Sequence, residues 1–121
     1  MVMDILLLIL LFVIKHFIVD FVWQTAEEVN HKGTYLDYRG VKHSVKHGFG
    51  TLFVLLFIGA SFEYSWIYAT ADFLIHYHID WAKSRITRNL TPSDHLFWCW
   101  LGFDQALHYL TYITFIAIMI W

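Results

Sequence analysis

The chain has 121 residues, 59% hydrophobic and 20% aromatic but only 15% charged, with a mean hydropathy of +0.54. Ordinary globular domains are about 45–50% apolar and about 25% charged, so this balance excludes a disordered tail, a basic nucleic-acid module and a disulfide-built secreted domain. Eight Lys and Arg against ten Asp and Glu leave no field to recruit nucleic acid, and the single Cys99 cannot form an internal bridge. The expectation is one all-α polytopic membrane domain, residues 1–121, with four transmembrane helices in a compact bundle.

A helix crossing about 30 Å of hydrocarbon needs about 20 mostly apolar residues. The first predicted span, 2–24, opens on the apolar run Ile5–Ile14. It has no basic leader, and Lys15, His16 and Asp20 interrupt it with no small-residue cleavage site after it, so it reads as a retained span. The connection Thr25–Gly40 is partly loop, with an interfacial turn within 27–37. A second span covers 41–61. A third, 64–86, is interrupted by Asp72, His76, His78 and Asp80. Thr91-Pro92-Ser93-Asp94 reads as a helix start, with Thr91 as N-cap and Pro92 in the first turn. The fourth span is 98–121. Lys32, Arg39, Lys42 and Lys46 lie in or just beyond the first connection, and Lys83, Arg85 and Arg88 lie around the third. The second connection carries no basic residue, so the positive-inside rule places both termini outside the cytosol.

Ionisable side chains at bilayer depth cost about 2.5–3.5 kcal/mol each on insertion scales, and they mark function by default. Here they fall at four-residue spacing, which puts them on one helical face. Span one offers His16, Asp20 and Gln24; span two His43 and His47; span three Asp72, His76 and Asp80; span four Asp104 and His108, with Gln105 beside them. Alternating span direction puts all four sets toward the cytosolic side at comparable depth. Imidazole and carboxylate together suit a transition metal, and helix bundles build such sites from facing helices. The candidate ligands are His16, Asp20, His43, His47, His76, Asp80, Asp104 and His108. They exceed the four that one tetrahedral ion needs, so the expectation is one or two divalent ions, Zn or Mn. Ion pairs such as Asp20–Lys83, Asp80–Lys46 or Lys15–Asp72 are the simpler alternative for some of these charges. His78 points away from the His76/Asp80 face, His31 and His95 lie in connections, and Cys99 has no His or Cys at ligand spacing.

At these residues the sequence resembles a known group. The string His16-Phe-Ile-Val-Asp20-Phe-Val-Trp-Gln24-Thr, then Lys32-Gly33, His43-x3-His47, His76-Tyr-His-Ile-Asp80-Trp-Ala-Lys83 and Asp104-Gln105-x2-His108, is similar to the motif set of domain-of-unknown-function family 3307. Those are small integral membrane proteins of bacteria and their phages. Their His/Asp pattern is similar, more distantly, to that of membrane-bound metal-dependent hydrolases. The resemblance implies a bacterial or phage source, an inner-membrane location and a metal-dependent hydrolytic role.

The leading expectation is therefore a membrane-embedded hydrolase acting on a phosphate- or ester-bearing lipid or other amphiphile at the cytosolic leaflet. Asp20 or Asp104, whichever lies outside the ligand set, would act as general base, and Lys83 would hold an anionic group. Gln24, Gln105, Asp72 and Lys46 would orient the ligands from one layer out. The alternatives are a metal- or proton-handling transport or sensing protein, and a non-catalytic phage protein that modifies the envelope. Self-association is compatible with so small a bundle, but no run of small residues names an interface.

Overall fold

A computed structural model describes residues 2–121. Helix α1 (Val2–Phe17) runs directly into a π-helical turn at Ile18–Val22, closed by the i→i+5 bond from Trp23 N–H to the Ile18 carbonyl at 2.8 Å. Helix α2 (Ala26–His31) is short, and three long helices follow: α3 (Tyr38–Phe57), α4 (Phe62–Ile86) and α5 (His95–Ile120). Among the described residues there is no strand.

The four long helices pack as a ring, α1 against α3, α3 against α4, α4 against α5 and α5 back against α1, with α2 laid on α3. Neighbours run antiparallel, because short connections leave no other course. The tightest is the turn after α3, where Gly59 takes φ +86°. There Ala60 N–H bonds the Leu55 carbonyl and Gly59 N–H bonds that of Leu56, each at 3.0 Å, which satisfies carbonyls that the helix end would leave open. Where α3 crosses α4, a Cβ on Gly48 would lie 2.9 Å from the Ala69 carbonyl oxygen. Only glycine admits that approach.

Two layers divide the bundle along its length. At one end Leu8, Phe12, Val54, Leu55, Tyr68, Tyr112, Phe115 and Ile116 form an apolar core. Phe12 stacks on Tyr112 with ring centroids 4.9 Å apart, and Tyr68 meets Phe115 edge-on at 5.1 Å. Such pairs add about 0.5–1.5 kcal/mol each beyond area burial. At the other end the interior is polar: His16, Asp20, His43, His47, His76, Asp80, Asp104 and His108 are all buried. The outside is the reverse, with Leu6, Leu10, Phe17, Phe53, Phe57, Ile67, Leu110 and Ile113 exposed.

The stretches Asp4–Val22 and His95–Ile120 are long and apolar enough to cross a membrane. Three local expectations are corrected. The first connection holds helix α2, whose capping box pairs Thr25 and Glu28 reciprocally. Thr91 is not an N-cap: α5 starts at His95, and the Asp94 carboxylate instead accepts from the Thr91 N–H at 2.7 Å and its hydroxyl at 2.9 Å. Cys99 does have a histidine one turn away, its Sγ lying 3.4 Å from His95 Nε2 on the exposed surface.

Candidate metal centre

Each long helix delivers its share of the polar layer through i,i+4 spacing. His16 and Asp20 come from α1 and the π turn, His43 and His47 from α3, His76 and Asp80 from α4, and Asp104 and His108 from α5. The wider π turn is where Asp20 sits, a distortion found mostly at functional sites.

The imidazole Nε2 atoms converge on two carboxylates. Asp20 Oδ1 lies 2.9 Å from His43 Nε2, 2.9 Å from His47 Nε2 and 3.6 Å from His76 Nε2. Asp80 lies 3.4 Å from His43 Nε2, 3.4 Å from His76 Nε2 and 3.3 Å from His108 Nε2. The rings of His47 and His76 stack with centroids 3.5 Å apart, and those of His76 and His108 at 3.9 Å. Two groups have ligand atoms all within 4.8 Å of one another: Asp20, His43, His47 and His76; and His76, Asp80 and His108.

These spacings suit an ion. Ligand atoms about 2.1 Å from a common metal are about 3.0 Å apart at a right angle and about 3.4 Å apart at the tetrahedral angle. Hydrogen bonds alone leave the layer incomplete. His76 Nε2 and Asp104 Oδ1 are buried with no hydrogen-bond partner. Charge points the same way. With the imidazoles neutral, as metal ligands would be, Lys32 is the only lysine among the described residues paired with Asp20, Asp80 or Asp104, its Nζ 2.8 Å from Asp80 Oδ2. A divalent cation would cancel the remainder. Burial works against the Lys32 ammonium, yet the Asp80, Asp20 and Asp104 carboxylates outweigh it and hold its pKa above the ordinary lysine value.

His16 and Asp104 stand beside these two groups rather than in them. The protonation of His16 follows from its neighbours. Its Nε2 faces two acceptors, Gln105 Oε1 and Asp20 Oδ2, so in the neutral ring Nδ1 accepts from the Tyr112 hydroxyl at 3.1 Å, whose oxygen in turn accepts from Lys15 Nζ at 3.0 Å. His16 Nε2–H is then the donor to Gln105 Oε1 at 2.8 Å, with Asp20 Oδ2 at 3.0 Å. The Gln105 amide NH2 in turn donates to Asp104 Oδ2 at 3.2 Å and Asp20 Oδ2 at 3.4 Å. Both ring nitrogens of His16 are thus engaged by protein groups, and its role is to hold Asp20.

The remaining sequence candidates divide. Asp72 sits one turn above the layer, taking Lys15 Nζ and the Thr51 hydroxyl at 2.5 Å each. Gln24 and Lys83 line an 80 Å³ cavity with Asp20, Lys32, Asp104 and Gln105. Lys46 is engaged elsewhere, 2.6 Å from Glu28 Oε1. The Asp20–Lys83 and Asp80–Lys46 pairs therefore do not form, whereas Lys15–Asp72 does. His78 is exposed and bonds the Leu74 carbonyl and Tyr35.

Two participants escaped the sequence reading. Lys32 reaches Asp80 from the first connection, and buried Glu28 places Oε2 4.0 Å from His43 Nδ1. The only sequence signal for either was Lys32-Gly33 within the quoted motif set.

No curated protein and no solved structure matches the chain. A family model described as "Protein of unknown function (DUF3307)" matches residues 7–121, spanning all four sets of converging His and Asp residues. The chain belongs to the DUF3307 family.

Proposed function

We propose that the chain crosses the bacterial inner membrane four times and that its polar layer holds one or two divalent ions, Zn or Mn, to hydrolyse a phosphate- or ester-bearing amphiphile at the cytosolic leaflet. The single observation that carries this reading is the convergence of His43, His47, His76 and His108 Nε2 atoms on Asp20 and Asp80.

Four crossings are supported by what faces outward. Helices α3 and α4 have low mean hydropathy because their His, Asp and Lys residues are counted with the rest, yet those residues largely face inward. Outward they present Phe49, Phe53 and Phe57, and Trp66, Ile67, Leu74 and Ile75. Twenty residues of α3 and 25 of α4 reach about 30 and about 38 Å at 1.5 Å per residue, enough for the hydrocarbon core. The basic residues gather at the polar-layer end, which favours that end on the cytosolic side.

A divalent ion held there supplies a water acidified enough to attack near neutral pH. The chain does the rest. Asp20, His43 and His47 would hold one ion, and Asp80 and His108 a neighbouring one, with His76 Nε2 available to either but not to both. Asp104, whose buried Oδ1 has no hydrogen bond and lies 3.4 Å from His108 Nε2, would take the proton from the attacking water. Lys83 at the cavity wall meets the anionic group. Transport is the weaker reading, because the apolar core around Phe12, Leu55 and Phe115 closes the other half of the bundle.

Detergent-purified protein supplied with Zn²⁺ or Mn²⁺ is expected to turn over a member of an inner-leaflet lipid panel, and His47→Ala and Asp80→Ala are expected to lose that turnover. Turnover unchanged in both variants removes the layer from the reaction.

A further inference from the structure

Between α4 and α5 runs an apolar furrow of about 300 Å³, walled by Ile79, Ala82, Ile86, Trp100, Phe103 and Leu107. Beside it lies the 80 Å³ cavity that reaches Asp20, Lys32 and Gln105. Lys83 and Asp104 line both. An apolar trough and a polar chamber thus share two charged side chains at their junction.

Resting on the hydrolase reading above, we infer that this furrow seats one alkyl chain of a phosphate-headed membrane amphiphile, which enters sideways from the bilayer and places its headgroup in the cavity. Three lysines near the polar layer are already engaged: Lys15 with Asp72, Lys32 with Asp80 and Lys46 with Glu28. The Lys83 ammonium alone among the lysines lining the junction has no carboxylate or hydrogen-bond partner among the described residues, so it is free to meet an anion there. Asp104, 4% exposed, lies at the same junction with Oδ1 3.4 Å from His108 Nε2 and without a hydrogen bond, an acceptor for a hydroxyl of the headgroup. By contrast, the apolar furrow between α3 and α4 beside Gly48 has no charged residue in its lining, so it gives a headgroup nothing to bind.

The test uses hexadecyl phosphate with a diazirine a few carbons from the phosphate, photolysed with the full chain in phosphatidylcholine nanodiscs, and crosslinks mapped by mass spectrometry. Label is expected to concentrate on residues 79–86 and 100–107 and to be displaced by unlabelled hexadecyl phosphate but not by hexadecanol. Ala82→Trp, which fills the furrow, is expected to abolish it. Lys83→Gln is expected to weaken displacement by about tenfold. Label spread evenly over all lipid-facing helices, or equal competition by hexadecanol, overturns the inference. The same labelling is run on chelator-stripped protein, since none of the residues in the two ligand groups lines the furrow. Localised label in a native chain that cannot be loaded with metal sinks the hydrolase reading alone, and scattered label in a metal-loaded chain sinks the furrow alone.

Discussion

His16 and His47 are both fully buried imidazoles within one cluster, yet their hydrogen bonds give them different work. His16 is fixed as the Nε2–H tautomer by the acceptors Gln105 Oε1 and Asp20 Oδ2 at that nitrogen, with the Tyr112 hydroxyl at Nδ1. Among the described residues His47 has only Asp20 as a hydrogen-bond partner, and its Nδ1 has none. His16→Gln is accordingly expected to keep the native metal stoichiometry while weakening affinity by about tenfold, whereas His47→Ala is expected to lower the stoichiometry itself. Elemental analysis after dialysis separates the two, and ¹⁵N shifts of labelled His16 report the tautomer. Residue identity was legible here because i,i+4 spacing forces the pairs onto one face. Which ring is a ligand and which is a positioning group was not, because it depends on Tyr112 and Gln105, 96 and 89 residues away in the chain. Lys32 was hidden for the same reason. The ion pair considered for Asp80 was with Lys46, but the ammonium that reaches Asp80 arrives from a connection folded over the bundle end.

At the level of elements, α2 closes the polar end and is held by one carboxylate. Burial opposes the Glu28 charge, but Lys46 at 2.6 Å, the Thr25 N–H and His43 overcome it, and the carboxyl pKa is lowered. A lowered carboxyl pKa stabilises the fold above the unfolded value near 4.3 and loses that contribution as pH falls through the folded value. Hydrogen exchange over residues 26–31 is therefore expected to quicken below about pH 4.3 in the native chain, and to show no such acid step in Glu28→Gln. Gly48 governs the α3–α4 crossing in the same direct way. Gly48→Leu is expected to cost about 1–3 kcal/mol, read by denaturation in detergent, because the Ala69 carbonyl cannot yield to a Cβ at 2.9 Å. The helices themselves were readable within a few residues from apolar run length. The π turn at Ile18–Val22 was not, since its i→i+5 bonding leaves no mark on the i,i+4 pattern of His16 and Asp20.

For the whole molecule, the inversion of polarity is the organising fact. Carboxylates and imidazoles fill one half of the interior while phenylalanine and leucine cover the outside, which is a stable arrangement in lipid. Such a molecule is expected to present the turn near Gly59 and both termini on one side of the membrane and the two basic connections on the other. Impermeant thiol labelling of single cysteines at 35, 59 and 90, in a Cys99→Ser background, checks this. Labelling of 59 from the same side as 35 and 90 contradicts four crossings. That the four His/Asp sets share one level of the bundle followed from span direction alone. The two-layer division did not, because it needs the contacts of Phe12 with Tyr112 and of Tyr68 with Phe115.

The central claim is that the buried carboxylates share a cation. Inductively coupled plasma mass spectrometry on detergent-purified, gel-filtered protein tests it most directly. The expected result is about one to two equivalents of Zn or Mn per chain, falling sharply in Asp80→Ala and restored to the native chain after chelation. A native chain that folds, carries under about a tenth of an equivalent and cannot be reloaded would contradict it.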